Sequence, residues 1–180
     1  MDLLNYAGVG EVMIKWLAKY SVREAADLLT VFPKAYKDTR NITPIANLQI
    51  GYTYLIEGRV GNVTHKQFGK KFLRFVVTDD TGSCTIVMFR FYPNQIRMLE
   101  NAEYVRCYGK VDLSQHTQMV HPEWSVVKDG KSTIEQKISA VYRLNRVPDR
   151  VVSNIVLQVL QSKQIENLLP SQYLKKYGVL

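Results

Sequence analysis

Between Val9 and Tyr20 the large apolar residues Val9, Met13, Trp16, Leu17 and Tyr20 recur at helical intervals, with Glu11, Lys15 and Lys19 on the opposite side. That spacing gathers the apolar set into one stripe of an α-helix. Ser21 followed by Glu24 has the form of a capping box, so a second helix is expected to start there and run through Leu29 until Pro33 stops it. Beyond Ile50 the period changes to two. Tyr54, Ile56, Gly58 and Val60 alternate with Leu55, Glu57 and Arg59, which predicts a strand. Further runs rich in Val, Ile, Phe and Tyr, at Phe72–Thr78, Ser83–Phe91, Tyr104–Asp112 and Gln118–Val127, bring the expected strands to five.

The connections between these runs limit how they join. Asp80-Thr81-Gly82 supplies a tight turn between the second and third strands, and Gly58 offers a bend at which one strand can serve two sheets. The stretch from Tyr92 to Asn101 is longer and accommodates a helical turn at Gln95–Glu100. Strand, strand, strand, short helix, strand, strand is the order of an OB barrel, although an open sheet or an SH3-like barrel produces the same periodicity. After the charged linker Lys128–Ser132, Val147, Val151, Val152, Ile155, Val156, Val159 and Leu160 form a wide apolar helical stripe. Pro170 is placed to open another short helix carrying Tyr173, Leu174 and Tyr177, with Gly178 to end it. The expected fold is α+β, a five-stranded OB-type β-barrel flanked by an N-terminal helix pair and C-terminal helices. Its expected segments are 1–47, 48–130 and 131–180.

Composition adds a partner class. The 180 residues include 24 Lys and Arg against 16 Asp and Glu, a formal charge of +8, so phosphate-rich or acidic partners are plausible, while many basic proteins bind neither. Cys84 and Cys107 form no CxxC pair and sit among alternating apolar residues, as buried thiols in a reducing compartment do. No signal peptide and no run of membrane-spanning length is present, so a cytoplasmic protein with no membrane contact is expected. No P-loop pattern occurs, which excludes ATP hydrolysis by this chain on the usual motif. His65, His116 and His121 are too scattered to suggest a metal site, and no catalytic residue is expected. Asp79-Asp80 reads as the start of a turn, since adjacent strand residues face opposite ways.

Arg59, Lys66, Lys70, Lys71 and Arg74 place five cations in a stretch without an acid, with Phe68 at its centre. In an OB barrel this is the loop between the first two strands, where lysines neutralise phosphate and an aromatic offers a base a stacking surface. A solvated hairpin tip accounts for the same residues. Phe89, Arg90, Phe91 and Tyr92 lie at the end of the third expected strand, where Phe89 and Phe91 would share a face. Stacking on a base contributes about 1 to 3 kcal/mol per ring, and burying a ring contributes about as much to stability, so magnitude does not separate the two uses. Gly8 and Gly10, flanking Val9 before the first helix, suit either a phosphate-binding turn or a packing turn.

Several of these segments resemble the N-terminal region of the RecG family of ATP-dependent DNA helicases. Ala7-Gly8-Val9-Gly10 is similar to the family's opening Gly-Val/Ile-Gly, and Asp27-Leu28-Leu29 through Phe32-Pro33 and Tyr36-Lys37-Asp38 to its Asp-Leu-Leu, Pro and Tyr-x-Asp run. Asp80-Thr81-Gly82, Tyr108-Gly109-Lys110, His121-Pro122-Glu123, Ala140-Val141-Tyr142 and Leu168-Leu169-Pro170 resemble later landmarks in order. The resemblance implies an OB-fold wedge that binds replication forks and Holliday junctions, separates strands at the branch point and acts in repair and recombination. It implies branched DNA with single-stranded character as partner, and a motor in cis beyond Leu180 that uses ATP and Mg; a monomer is expected. The family's stacking aromatics follow the third strand: Phe89 matches one, the second falls on Pro93 with Tyr92 beside it, and the usual Tyr-Pro after the last strand is Tyr142-Arg143. A module that docks the motor or another protein, or an RNA-binding OB domain, remains an alternative reading.

Overall fold

The computed structural model describes residues 2–66, 68–69, 71–113 and 117–162; the helix expected from Pro170 to Gly178 lies outside them. The helices are α1 (Glu11–Ala18), α2 (Pro93–Glu100) and α3 (Asp149–Gln161). The strands are β1 (Ala35–Asp38), β2 (Thr53–Lys66), β3 (Phe72–Thr78), β4 (Ser83–Met88), β5 (Tyr104–Leu113), β6 (Thr117–Val120), β7 (Glu123–Val127) and β8 (Ile138–Val141). The chain divides into two compact units, Met1–Lys37 with Ser139–Leu180, and Asp38–Ile138. The division differs from the three consecutive segments expected, because the two terminal segments build one core together. Periodicity reveals an apolar stripe, but not which distant stripe covers it.

In the helical unit, Leu17 of α1, Leu28, Tyr142, and Val152, Ile155 and Val159 of α3 share that core. The α3 stripe follows helical spacing, while Leu160 at its edge stays exposed. The expected second helix is a 3-10 helix at Ala25–Thr30, and Ser21 does not cap it. Ser21 instead takes a left-handed φ of 63° just past the end of α1, where the Val22 amide donates to the Leu17 carbonyl. The capping pair is Glu24 and Asp27: the Asp27 carboxylate accepts from the amides of Arg23 (2.8 Å) and Glu24 (3.0 Å). These two bonds, that from Glu24 foremost, hold its pKa below the ordinary carboxylate value.

The second unit is a closed barrel. Its strand order is β2-β3-β4-β6-β5-β7, and a further β2–β5 pairing completes the ring. β4 runs parallel to β6, with Ile86 opposite Met119, and the other barrel pairings are antiparallel. β2 closes the ring because it serves both sides: Thr53–Arg59 pairs with β5 and Arg59–Lys66 with β3. Gly58 stands at the changeover, where a Cβ would run into the Thr78 carbonyl. The expected bend is there, and its cause is close backbone approach.

The fifth expected strand is two strands, β6 and β7. β6 must reach β4 on one side and β5 on the other, whereas β7, among the described residues, pairs with β5 alone, so the run breaks at His121, whose φ is 50°. The register against β5 slips by one residue between Tyr108↔Glu123 and Val111↔Met119, the mark of a bulge. Gly109 leaves room for it: a Cβ there would lie 2.7 Å from Pro122 Cβ.

Phe75, Ile86, Val105, Val111 and Met119 fill the barrel, and α2 adds Ile96 and Leu99 to the same core. Cys84 and Cys107 are buried in it, and burial pushes the Cys84 thiol up to about 11 and that of Cys107 higher still. The hairpin between β3 and β4 is organised by Asp79 rather than Asp80. Its carboxylate accepts from the Thr81 amide (2.7 Å), the Thr81 hydroxyl (2.6 Å), the Gly82 amide (2.9 Å) and the Ile45 amide (2.8 Å). On the outer wall Arg106, 7% exposed, pairs with Glu57 across β2–β5 at 2.6 Å and donates to the Ile134 carbonyl at 2.9 Å. That bond ties the returning chain to the barrel.

Candidate nucleic-acid interface

The barrel register decides which candidate residues share a location. Lys66 is opposite Phe72 on the first rung of the β2–β3 hairpin, and the next β3 residue, Leu73, is opposite Met88, the last residue of β4. Neighbouring strands lie about 4.8 Å apart. The hairpin tip carrying Phe68 and Lys71 and the segment leaving β4 through Phe89 and Arg90 are therefore at one end of the barrel. Phe68 is 84% exposed, and Arg74 faces outward on β3 opposite Val87. Lys70 lies outside the described residues.

β4 ends at Met88, three residues before the expected limit, and this separates the aromatics. The Phe89 amide donates to Nε2 of His121 at 3.1 Å, and the two rings are 5.7 Å apart and tilted. His121 is itself held by its amide, which donates to the Val87 carbonyl at 2.9 Å. With its amide taken by a side chain, Phe89 does not continue the ladder. The chain bends into α2, which has Pro93 in its first turn and the Tyr92 amide donating to Gln95 Oε1 at 2.9 Å. Phe89 and Phe91 consequently do not share an exposed face. Phe91 packs partly buried against the barrel core, whereas Phe89 is 56% and Tyr92 74% exposed. Arg90 is exposed between them.

Arg59 is apart from this group. It pairs with Thr78, the last residue of β3, so it stands six residues along β3 from Lys66's partner Phe72, about 20 Å in extended chain. Its guanidinium is engaged locally, donating to the Tyr104 hydroxyl at 2.9 Å and lying 3.7 Å from Glu103. Gly8 and Gly10 belong to the helical unit. Gly8 has a φ of 85°, and a Cβ there would meet Val151 Cγ2 at 3.4 Å; Gly10 precedes α1 in extended conformation. His121, noted in the sequence only as a scattered histidine and a family landmark, has an unforeseen role at this end. Its signal was position: a histidine before a proline, inside an otherwise regular β run.

Among the described residues no group of three or more His, Cys, Asp or Glu could hold a metal ion, and no helix is long and apolar enough to cross a membrane. What this end of the barrel offers is cations beside exposed flat rings, a combination that suits phosphate and unstacked bases.

The fold is thus an OB-type barrel domain: a closed five-stranded ring in which the third strand lies parallel to the fifth and a helix joins the third to the fourth. Residues 3–165 match the model of the RecG wedge domain, and the chain belongs to that family. It is 27% identical over 178 residues to the ATP-dependent DNA helicase RecG of Escherichia coli strain K12, covering 96% of this chain and 26% of that protein. Against the RecG helicase of Pasteurella multocida strain Pm70 it is 27% identical over 180 residues with the same coverage. The chain therefore spans about a quarter of these relatives' length. A solved structure of RecG bound to a three-way DNA junction shares the fold, with a TM-score of 0.77 and 22% identity over 98% of this chain and 25% of that one.

Proposed function

We propose that this chain is the branched-DNA-binding wedge of an ATP-dependent helicase, engaging forks and Holliday junctions by backbone charge and separating strands at the branch point during repair and recombination. The observation that carries the reading is the pair of solvent-exposed rings, Phe89 and Tyr92, at the barrel end that also bears Lys66, Lys71, Arg74 and Arg90. The His121 contact fixes the Phe89 backbone, so its ring is held out to solvent at low entropic cost on binding. Phe68 at the neighbouring hairpin tip is a further stacking surface. In this reading cations hold the phosphates of both strands, and the rings occupy the space from which a base pair has been lost.

Relatives named as helicases imply ATP and Mg, and the motor using them is proposed for the part of those longer proteins that this chain does not span. The residues present do not fit either group, since the chain has no P-loop pattern and no metal-ligating cluster among its described residues.

The test is titration of the chain with a labelled three-way junction, a linear duplex of equal length and an RNA fork. The junction is expected to bind tightest, and affinity to fall steeply between 50 and 200 mM salt as counterions are released, with a slope of about −0.9 per phosphate contacted. Phe89→Ala with Tyr92→Ala should weaken junction binding by about tenfold or more, given about 1 to 3 kcal/mol per stacked base, with no loss of thermal stability. Equal affinity for junction and duplex, or unfolding of the double variant, would overturn the proposal.

A further inference from the structure

The helical unit carries a second concentration of positive charge, built around Trp16. Lys19 Nζ lies 4.0 Å from the centre of a Trp16 ring and Arg146 Cζ 4.6 Å. Lys15 precedes Lys19 by one helical turn and shares its side of α1. Arg143 stands in the same loop as Arg146, and the Tyr20 hydroxyl accepts from the Asn145 amide at 2.8 Å, fixing that loop to the end of α1. All four cations are exposed, and among the described residues none has a carboxylate within 4.0 Å. The acid next to the loop is engaged by backbone: Asp149 accepts from the amides of Tyr142 (2.7 Å) and Arg143 (3.0 Å).

The backbone supplies an independent observation. Arg143 has a φ of 53° and Arg146 a φ of 60°. Glycine or asparagine adopts that left-handed region most readily, and a side chain with a full Cβ and stem adopts it at a cost. Twice within four positions the turn suits glycine and the chain carries a guanidinium. The ring beneath Lys19 and Arg146 orients their heads without neutralising them, as a carboxylate would. With cations already over it, Trp16 offers no free platform to an unstacked base. The Tyr20 ring beside it is pinned to the loop through its hydroxyl, so the surface presents charge foremost, which matches the backbone of a paired strand better than single-stranded DNA.

We infer that Lys15, Lys19, Arg143 and Arg146 form a second DNA site, one that holds the phosphate backbone of duplex independently of sequence and separately from the rings of the barrel. Lys15 and Lys19 are about 6 Å apart along the helix, and a duplex strand carries a phosphate about every 3.4 Å of axis, so the pair spans roughly two. The inference rests on the reading that the chain acts on DNA.

The test compares the chain with its Lys15→Gln, Lys19→Gln, Arg143→Gly, Arg146→Gln quadruple variant, using a labelled linear duplex at 50 to 200 mM salt. The quadruple variant is expected to lose about tenfold or more in duplex affinity at 50 mM, and its salt slope to fall by about 3.6 units, about 0.9 for each of the four phosphate contacts removed. Arg143→Gly alone should lower the slope by about one unit while leaving the melting temperature unchanged or raised, because glycine relieves the left-handed turn. Phe89→Ala with Tyr92→Ala should leave linear-duplex affinity intact, so failure at the barrel end appears only with junctions and failure of this site only in the duplex slope. An unchanged slope in the quadruple variant overturns the inference. So does loss of polyglutamate binding with duplex binding retained, which would assign the surface to an acidic polypeptide.

Discussion

Asp79 shows how much one side chain organises in this barrel. Burial works to raise its pKa, but the hydrogen bonds from Thr81, Ile45 and Gly82 outweigh that and hold it below the ordinary 3.8. Its stabilising contribution is therefore complete above that value and is lost as pH falls through the lower folded pKa. Asp79→Ala should cost about 1 to 3 kcal/mol at neutral pH, the usual value of charge-assisted bonds, measured by urea denaturation. Asp79→Asn should flatten the acid limb of stability below about pH 4, and an unchanged acid limb would show that the carboxylate's charge contributes nothing. The sequence showed that a turn had to lie here but pointed to Asp80, because turn composition does not tell which of two neighbouring aspartates faces inward. The same limit separated Phe89 from Phe91. Alternation placed them on one face, but a histidine 32 residues beyond Phe89 takes the Phe89 amide, and the strand ends at Met88, before either ring.

At the scale of elements, the apolar period located the barrel strands and missed their internal breaks. A break in a closed sheet is set by where the ring must change partners: the bend that brings Gly58 against Thr78 was marked by its glycine, whereas the slip that brings Gly109 against Pro122 depends on residues far apart in sequence and was not. β1 and β8 were invisible for a related reason: each is only four residues long, and the Ala-Tyr-Lys-Asp of β1 and Ile-Ser-Ala-Val of β8 do not alternate apolar with polar residues in sequence. The two contacts permit a direct expectation. Gly58→Ala pushes a methyl group against a strand carbonyl that cannot move without opening the β2–β3 ladder, and should destabilise the barrel by about 3 kcal/mol. Chemical denaturation followed by far-ultraviolet circular dichroism checks this, and a loss under about 1 kcal/mol, no more than a helix-neutral surface change, would mean that the changeover is looser than its geometry.

For the whole molecule, each unit contains one of the two tryptophans, Trp16 in the helical unit and Trp124 in the barrel. Each unit also has its own apolar core, so local stability can differ between them. Fluorine resonances of 5-fluorotryptophan should follow the two separately, and Gly58→Ala should lower the midpoint reported by Trp124 more than that reported by Trp16. Equal shifts would mean that the units unfold as one.

The barrel is an insertion: the chain leaves the helical unit after Lys37 and re-enters it at Ser139. β1 and β8 pair side by side, and the Lys34 amide donates to the Val141 carbonyl at 2.9 Å, so the exit and the return are neighbours. Such an arrangement makes the barrel a cassette. A short glycine splice between its two attachment points would leave a helical remnant with its hydrophobic interior whole, and a foreign barrel with adjacent ends could be grafted in its place.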